Sequence, residues 1–163
     1  MRIGLVSDTH NDQNRLRRAL ERLRVEAITT VLHAGDVASG QTLRMFAGFD
    51  LWLARGNMDH DPLLFKISHE LFGSGRYRSS HSLTLNGSTV ALIHSAESDT
   101  ARAWLASESY DYLIHGHTHR PRDERIGRTR VINPGALSLP RGPHPPGFAI
   151  LDLSTGDLTC VQV

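Results

Sequence analysis

The sequence predicts an α/β fold in which a parallel βαβαβ unit is followed by a second, partly antiparallel sheet. Two observations predict it. Short apolar runs alternate with amphipathic stretches through the first third of the chain, the order that right-handed strand-helix-strand crossovers impose. Beyond Pro62 that alternation gives way to paired β-rich runs joined by turn residues, the pattern of hairpins.

Ile3 to Val6 is an apolar run ending in Ser7 and Asp8, as a strand buried on both faces does where it emerges into a loop. From Asp12 to about Val25, Leu16, Ala19, Leu20 and Leu23 form one stripe with arginines opposite, so an amphipathic helix follows. Thr29 to Leu32 is the second strand and ends at His33-Ala34-Gly35-Asp36. A weaker helix from about Gly40 to Ala47 leads into a third strand, Leu51 to Ala54, which ends at Arg55-Gly56-Asn57. Asp59 to Ser80 is read as loop. Ser82 to Leu85 and Thr89 to Ile93 flank Asn86-Gly87-Ser88 as a hairpin, and a helix over about Ser98 to Ser107 turns Ala101, Trp104 and Leu105 toward the core. Tyr110 to Ile114 is again a strand and runs into His115-Gly116-His117-Thr118-His119. Two further hairpins turn at Gly127 and Gly156, and the proline-rich stretch Pro140 to Pro146 is a surface loop. A length of 163 residues suits one hydrophobic core, so a single domain over 1–163 is expected.

Composition narrows the function classes. The 18 basic and 17 acidic side chains nearly cancel to a net charge of +1, which leaves no strong field for long-range attraction to a nucleic-acid polymer or an anionic membrane. Cys160 is the only cysteine, so no intrachain disulfide and no thiolate metal site can form; a buried, inert thiol is expected. Ile3 to Val6 is too short for a signal peptide or a membrane span, and a cytoplasmic location fits both facts. Ten histidines are the compositional outlier, and histidine is both the commonest metal ligand and the commonest general acid or base.

Five apolar strands run directly into metal-ligand residue types: Val6 toward Asp8 and His10, Leu32 toward Asp36, Ala54 toward Asn57, Ile93 into His94, and Ile114 toward His117 and His119. Ligands of open α/β sheets gather at the carboxyl ends of strands. In extended chain, residues two apart project to one side, so Asp8 with His10 and His117 with His119 are expected as chelating pairs. Gly35, Gly56 and Gly116 supply backbone freedom beside a crowded site. Each fragment is ordinary by itself, since Gly-Asp is a common turn and a lone histidine is usually structural. Their succession at consecutive strand ends is not.

Asp8-Thr9-His10, Gly35-Asp36, Gly56-Asn57-Met58-Asp59, His94 and Gly116-His117-Thr118-His119 resemble the five signature blocks of the calcineurin-like metallophosphoesterases, most closely the small single-domain bacterial and archaeal phosphodiesterases. Asn133-Pro134-Gly135 resembles a turn of the same branch, so the likeness spans nearly the whole chain. It implies a four-layer α/β/β/α sandwich of two mixed β-sheets flanked by helices. It also implies a binuclear centre in which Asp8, His10, Asp36 and His119 bind one metal, Asp36 bridges, and Asn57, His94 and His117 complete the second. Asp36, Asn57 and Asp59 are the catalytic candidates. Carboxylate, amide and imidazole donors without thiolate suit two divalent transition-metal ions, with manganese expected and iron, zinc, nickel or cobalt as alternatives. Four positive charges against the two of Asp8 and Asp36 leave a cationic centre, suited to in-line attack of a metal-bridging hydroxide on a small phosphate ester.

Two positions depart from the family pattern. Met58 stands where many members carry a histidine resembling a general acid, and methionine donates no proton; His60 is read as a solvent-facing loop residue. Ser95-Ala96 stands where relatives often carry Gly-His. His33 and His115 are candidates for orienting ligands or for satisfied core residues, and His69, His81 and His144 are expected on the surface. Arg55, Arg120 and Arg141 flank the blocks and are weaker candidates for meeting substrate phosphate. The competing readings are a non-catalytic interaction scaffold of the same fold, resembling a retromer coat subunit, and a nuclease of the same superfamily. A homodimer is left open.

Overall fold

A computed structural model describes residues 1–163. β1 (Arg2–Val6), α1 (Gln13–Val25), β2 (Thr30–His33), α2 (Gly40–Arg44) and β3 (Asp50–Ala54) succeed one another in the expected order. The three strands pair in parallel, with Leu5 opposite Leu32 and Leu32 opposite Trp52. The Asp12 side chain accepts the Arg15 N–H and caps α1, whose buried residues are the predicted stripe of Leu16, Ala19, Leu20 and Leu23.

The loop expected over Asp59 to Ser80 is corrected: it contains α3 (Leu63–Phe72) and the short β4 (Tyr77–Arg78). Only Leu64, Ile67 and Ser68 of α3 are buried, while Leu63, Phe65 and Leu71 face solvent, so apolar residues surround this helix and blur the stripe that would announce it. No side chain caps its start at Pro62. β4 pairs with β3 through two residue pairs, too few to leave a period.

β5 (Ser80–Leu85), β6 (Ser88–Ile93), α4 (Asp99–Ala106), β7 (Tyr112–Ile114), β8 (Arg122–Ile126), β9 (Thr129–Asn133), β10 (Gly147–Asp152) and β11 (Leu158–Gln162) complete the chain. One sheet has the order β11-β10-β1-β2-β3-β4 and the other β5-β6-β7-β9-β8; both are mixed. The last hairpin returns to the first sheet, where β10 runs antiparallel to β1 with Ile3 opposite Leu151.

Three apolar layers separate the four structural ones. Leu16, Leu20, Leu43, Phe46, Leu64, Val31, Leu53 and Phe148 pack α1 to α3 against the outer face of the first sheet. Ile3, Leu5, Leu32, Leu92, Ile114, Ile132 and Leu151 fill the space between the sheets, and Ala91, Ile93, Leu113 and Val131 meet Ala101 and Trp104 of α4 outside the second. Alternation along β6 explains the division, Val90 and Leu92 pointing inward and Ala91 and Ile93 outward. No helix is long and apolar enough to cross a membrane.

Two side chains differ from expectation. His81 is buried at 5% exposure, its Nε2 2.9 Å from the Leu53 carbonyl and its ring edge-on to Trp52, where β5 meets β3 at the seam of the sheets. Its polar neighbours in sequence conceal this inward position. Cys160 is exposed, because β11 is an edge strand whose middle residues lie uncovered. His60, His69 and His144 are exposed as expected.

Candidate metal centre

The five loops that follow β1, β2, β3, β6 and β7 converge at one end of the sandwich, held together by backbone hydrogen bonds. Asp8 N–H donates to Gly35 O at 3.0 Å, His10 N–H to Asp36 O at 2.9 Å, Gly116 N–H to His94 O at 3.0 Å and Ser138 N–H to Asp8 O at 3.1 Å. The side chains do not emerge from extended backbone as the spacing argument supposed. Asp8, His10, Asp36, His117 and His119 all have φ between 44° and 68°, a left-handed conformation costing about 1–2 kcal/mol per residue. Turning there lets His117 and His119 separate to different parts of the site.

One group contains Asp8, His10 and His119. His119 Nε2 lies 3.2 Å from Asp8 Oδ1 and 3.2 Å from His10 Nε2. A second contains Asn57, His94 and His117: Asn57 Oδ1 is 2.9 Å from His94 Nε2 and 3.0 Å from His117 Nδ1, and the two ring nitrogens are 3.3 Å apart. Asp36 Oδ2 stands between them, 3.6 Å from His10 Nε2 and 3.4 Å from His94 Nε2. Asp8, Asp36 and His94 also offer ligand atoms within 4.8 Å of one another.

These separations fit metal ions. Two donors each about 2.1 Å from one ion and at right angles lie roughly 3 Å apart. The tautomers agree, since His94 Nδ1 donates to Ala34 O at 2.7 Å and His119 Nδ1 donates to Leu139 O at 2.7 Å, so each neutral ring turns a bare Nε2 inward. Asn57 Oδ1 then faces His94 Nε2 with no proton between them, an acceptor-acceptor contact that a cation relieves.

Without a metal, protons take that place. The Asp8 hydrogen bond holds His119 above the ordinary histidine range despite partial burial. Burial pushes His94 down, but the bonds to Asp36 and the Ala34 carbonyl outweigh it and the net shift is upward. Burial likewise opposes ionisation of Asp36, yet His94 and the Met58 N–H hold its carboxyl below the usual carboxylate value.

Asp59 is buried and fully engaged: its carboxylate accepts the N–H groups of Gly56 at 2.7 Å, Ala38 at 2.8 Å and Asp36 at 3.2 Å, tying the β3 loop to the β2 loop. Met58 and Asn57 are exposed at the mouth, and Arg55, Arg120 and Arg141 lie at the surface. Sequence reading missed Ser7, whose hydroxyl lies 2.5 Å from Asp8 Oδ2 and 2.8 Å from Gly135 O. A serine after a buried strand carries no signal of that contact.

Beneath the donors, His33 accepts the Gly35 N–H and bonds Thr9 Oγ1 at 2.8 Å. Burial pushes His33 to about 4, against the pull of Asp59, Asp8 and Asp36, and pushes His115 to about 4 as well. An unfolded chain therefore binds more protons than the folded one between about 6.5 and 4 at these positions. The stability they contribute is complete above the ordinary histidine value and is lost as pH falls through that window. In chelator-treated protein, denaturant midpoints of the wild type are expected to fall more steeply on acidification than those of His115→Gln; parallel pH profiles contradict this.

A model of the calcineurin-like phosphoesterase superfamily domain matches residues 1–156. A phosphodiesterase of Methanocaldococcus jannaschii is 28% identical over 138 residues, covering 83% of each chain. The solved structure of a novel archaeal phosphodiesterase superposes with a TM-score of 0.90 at 25% identity over the whole of both chains. Zinc-complexed Vps29 from Entamoeba histolytica gives 0.66 at 21% identity, covering 100% of this chain and 98% of the other, a likeness of fold alone. With a match over nearly its full length and five strand-end loops meeting at one donor cluster, this chain belongs to the calcineurin-like phosphoesterase superfamily.

Proposed function

We propose that residues 1–163 form one catalytic unit, a metal-dependent phosphoesterase that hydrolyses phosphodiesters in the cytoplasm. The observation that carries this reading is the meeting of two nitrogen-and-oxygen donor groups at the Asp36 carboxylate, in a chain of a phosphoesterase family. Asp8, His10, Asp36 and His119 would hold one divalent ion, and Asp36, Asn57, His94 and His117 would hold a second; manganese is favoured, with iron, zinc, nickel or cobalt compatible with the same donors. When bound, such ions supply positive charge that acidifies water and stabilises phosphoryl oxygens.

The protein's own groups do the arranging. Ala34 and Leu139 carbonyls keep the two Nε2 atoms aimed inward, and Asp36 lies within reach of both donor groups. Asn57 contributes its amide oxygen. Asp59 is a positioning residue, because its oxygens are committed to backbone N–H groups that set Gly56 and Asp36 in register. Two carboxylates against two divalent ions leave the site cationic, which favours an anionic phosphate ester.

Met58, beside Asn57 at the mouth and 46% exposed, carries no proton to donate. A leaving oxygen receives from this position none of the general-acid help that is commonly worth ~10² to 10⁴ in rate. Aryl phosphodiesters are therefore expected to turn over faster than alkyl monoesters, and Met58→His is expected to narrow the gap. Equal wild-type rates on both contradict the assignment.

Hydrolysis of an aryl phosphodiester that chelator abolishes and transition metal restores tests the proposal; persistence of activity after complete chelation refutes it. A net charge of +1 gives no support to a nuclease that tracks a polymer.

A further inference from the structure

A groove of about 590 Å³ opens beside the centre, and none of the eight residues lining it is hydrophobic. His117 forms part of its wall, so the groove is continuous with the donor group at Asn57 and His94. Three arginines line it, Arg120, Arg122 and Arg141, against one acid, Glu97. Arg122 is engaged by Glu124. Arg120 and Arg141 pair with no acid, and both are exposed to the groove's solvent.

Their backbone is fixed relative to the centre. Arg141 N–H donates to His119 O at 3.0 Å while His119 Nδ1 donates to Leu139 O at 2.7 Å, so the loop after β7 and the loop before β10 are braced across His119 itself. Arg120 follows His119 directly. Both arginines thus leave the backbone beside the residue that turns its Nε2 toward Asp8, and both line the groove.

We propose that this groove is a subsite for a second anionic group, so that the substrate is a phosphodiester one of whose ester substituents carries a further phosphate. The inference rests on the phosphodiesterase reading above and names its substrate class. A simple diester bears a single negative charge, which the cationic centre already serves, and no hydrophobic side chain lines the groove to favour an apolar substituent. Two guanidinium forks without acidic partners suit a phosphate monoester, which accepts their paired N–H groups.

The test compares thymidine 5′-(p-nitrophenyl phosphate) with the same compound phosphorylated on its 3′ oxygen, scoring cleavage of either ester bond, in metal-loaded full-length protein. Wild type is expected to favour the 3′-phosphorylated compound by about tenfold in kcat/KM, the worth of one charge-assisted contact. Arg120→Ala with Arg141→Ala is expected to bring the ratio close to one, and raised ionic strength to narrow it in the wild type. A wild-type ratio near one overturns the inference, as does a ratio that survives the double substitution. Equal loss on both compounds also overturns it, because the arginines would then hold the phosphate being cleaved. Absence of chelator-sensitive hydrolysis of either compound instead refutes the phosphodiesterase reading itself.

Discussion

Asp36→Ala is expected to lower hydrolysis of an aryl phosphodiester by about a thousandfold or more, since stabilising charge in such a site is worth several kcal/mol and each 1.36 kcal/mol is a factor of ten. Asp36 is the side chain through which the two donor groups touch, 3.6 Å from His10 Nε2 and 3.4 Å from His94 Nε2 through one oxygen. Its other oxygen accepts the Met58 N–H at 2.7 Å and so fixes the Asn57 loop. Removing it takes away both the carboxylate proposed as the shared ligand and the brace. The fold should persist, because the substitution leaves the three apolar layers untouched. Kinetics, metal content and near-ultraviolet circular dichroism on one preparation check the claim: activity and metal stoichiometry fall while the dichroism is unchanged. Asn at this position keeps the shape and one neutral oxygen but loses the charge, and is expected to fall between the two.

Gly56→Ala is the second large effect. A Cβ at this position would lie 2.0 Å from Asp36 Oδ1 and 2.3 Å from Asp36 N, and the backbone nitrogen cannot swing aside. Something in the β2 or β3 loop must shift by about an ångström, a displacement that in catalytic sites costs on the order of a hundredfold in rate. Overpacking of this kind also destabilises by about 1–3 kcal/mol. Gly48→Ala is the control: nothing lies within 4 Å of its Cβ, but its φ of 89° strains any other residue. It is expected to lower stability while sparing activity, so thermal melts and kinetics together separate crowding at the centre from strain in a loop. Loss of activity in both, or in neither, contradicts the steric argument.

The parts of the fold visible in the sequence are those where one face of an element is buried and the other is not. α1 announces itself through Leu16, Ala19, Leu20 and Leu23, and the β5–β6 hairpin through Asn86-Gly87 between alternating runs. α3 hides because Leu63 and Phe65 are exposed beside buried Leu64, and His81 hides because its burial depends on Trp52 and Leu53, which are distant in sequence. The donor residues are legible as strand-end punctuation, but their geometry is not. Left-handed turns at five of them, the Ser7 contact to Gly135, and the backbone bonds that engage Asp59 all depend on which loops meet, and that is set by the pairing of sheets.

Anomalous diffraction from crystals grown with manganese tests the central claim most directly. Two peaks per chain are predicted, one touched by Asp8, His10 and His119, the other by Asn57, His94 and His117, with Asp36 reaching both. No peak, a single peak, or peaks away from these side chains would contradict the binuclear assignment and the chemistry built on it.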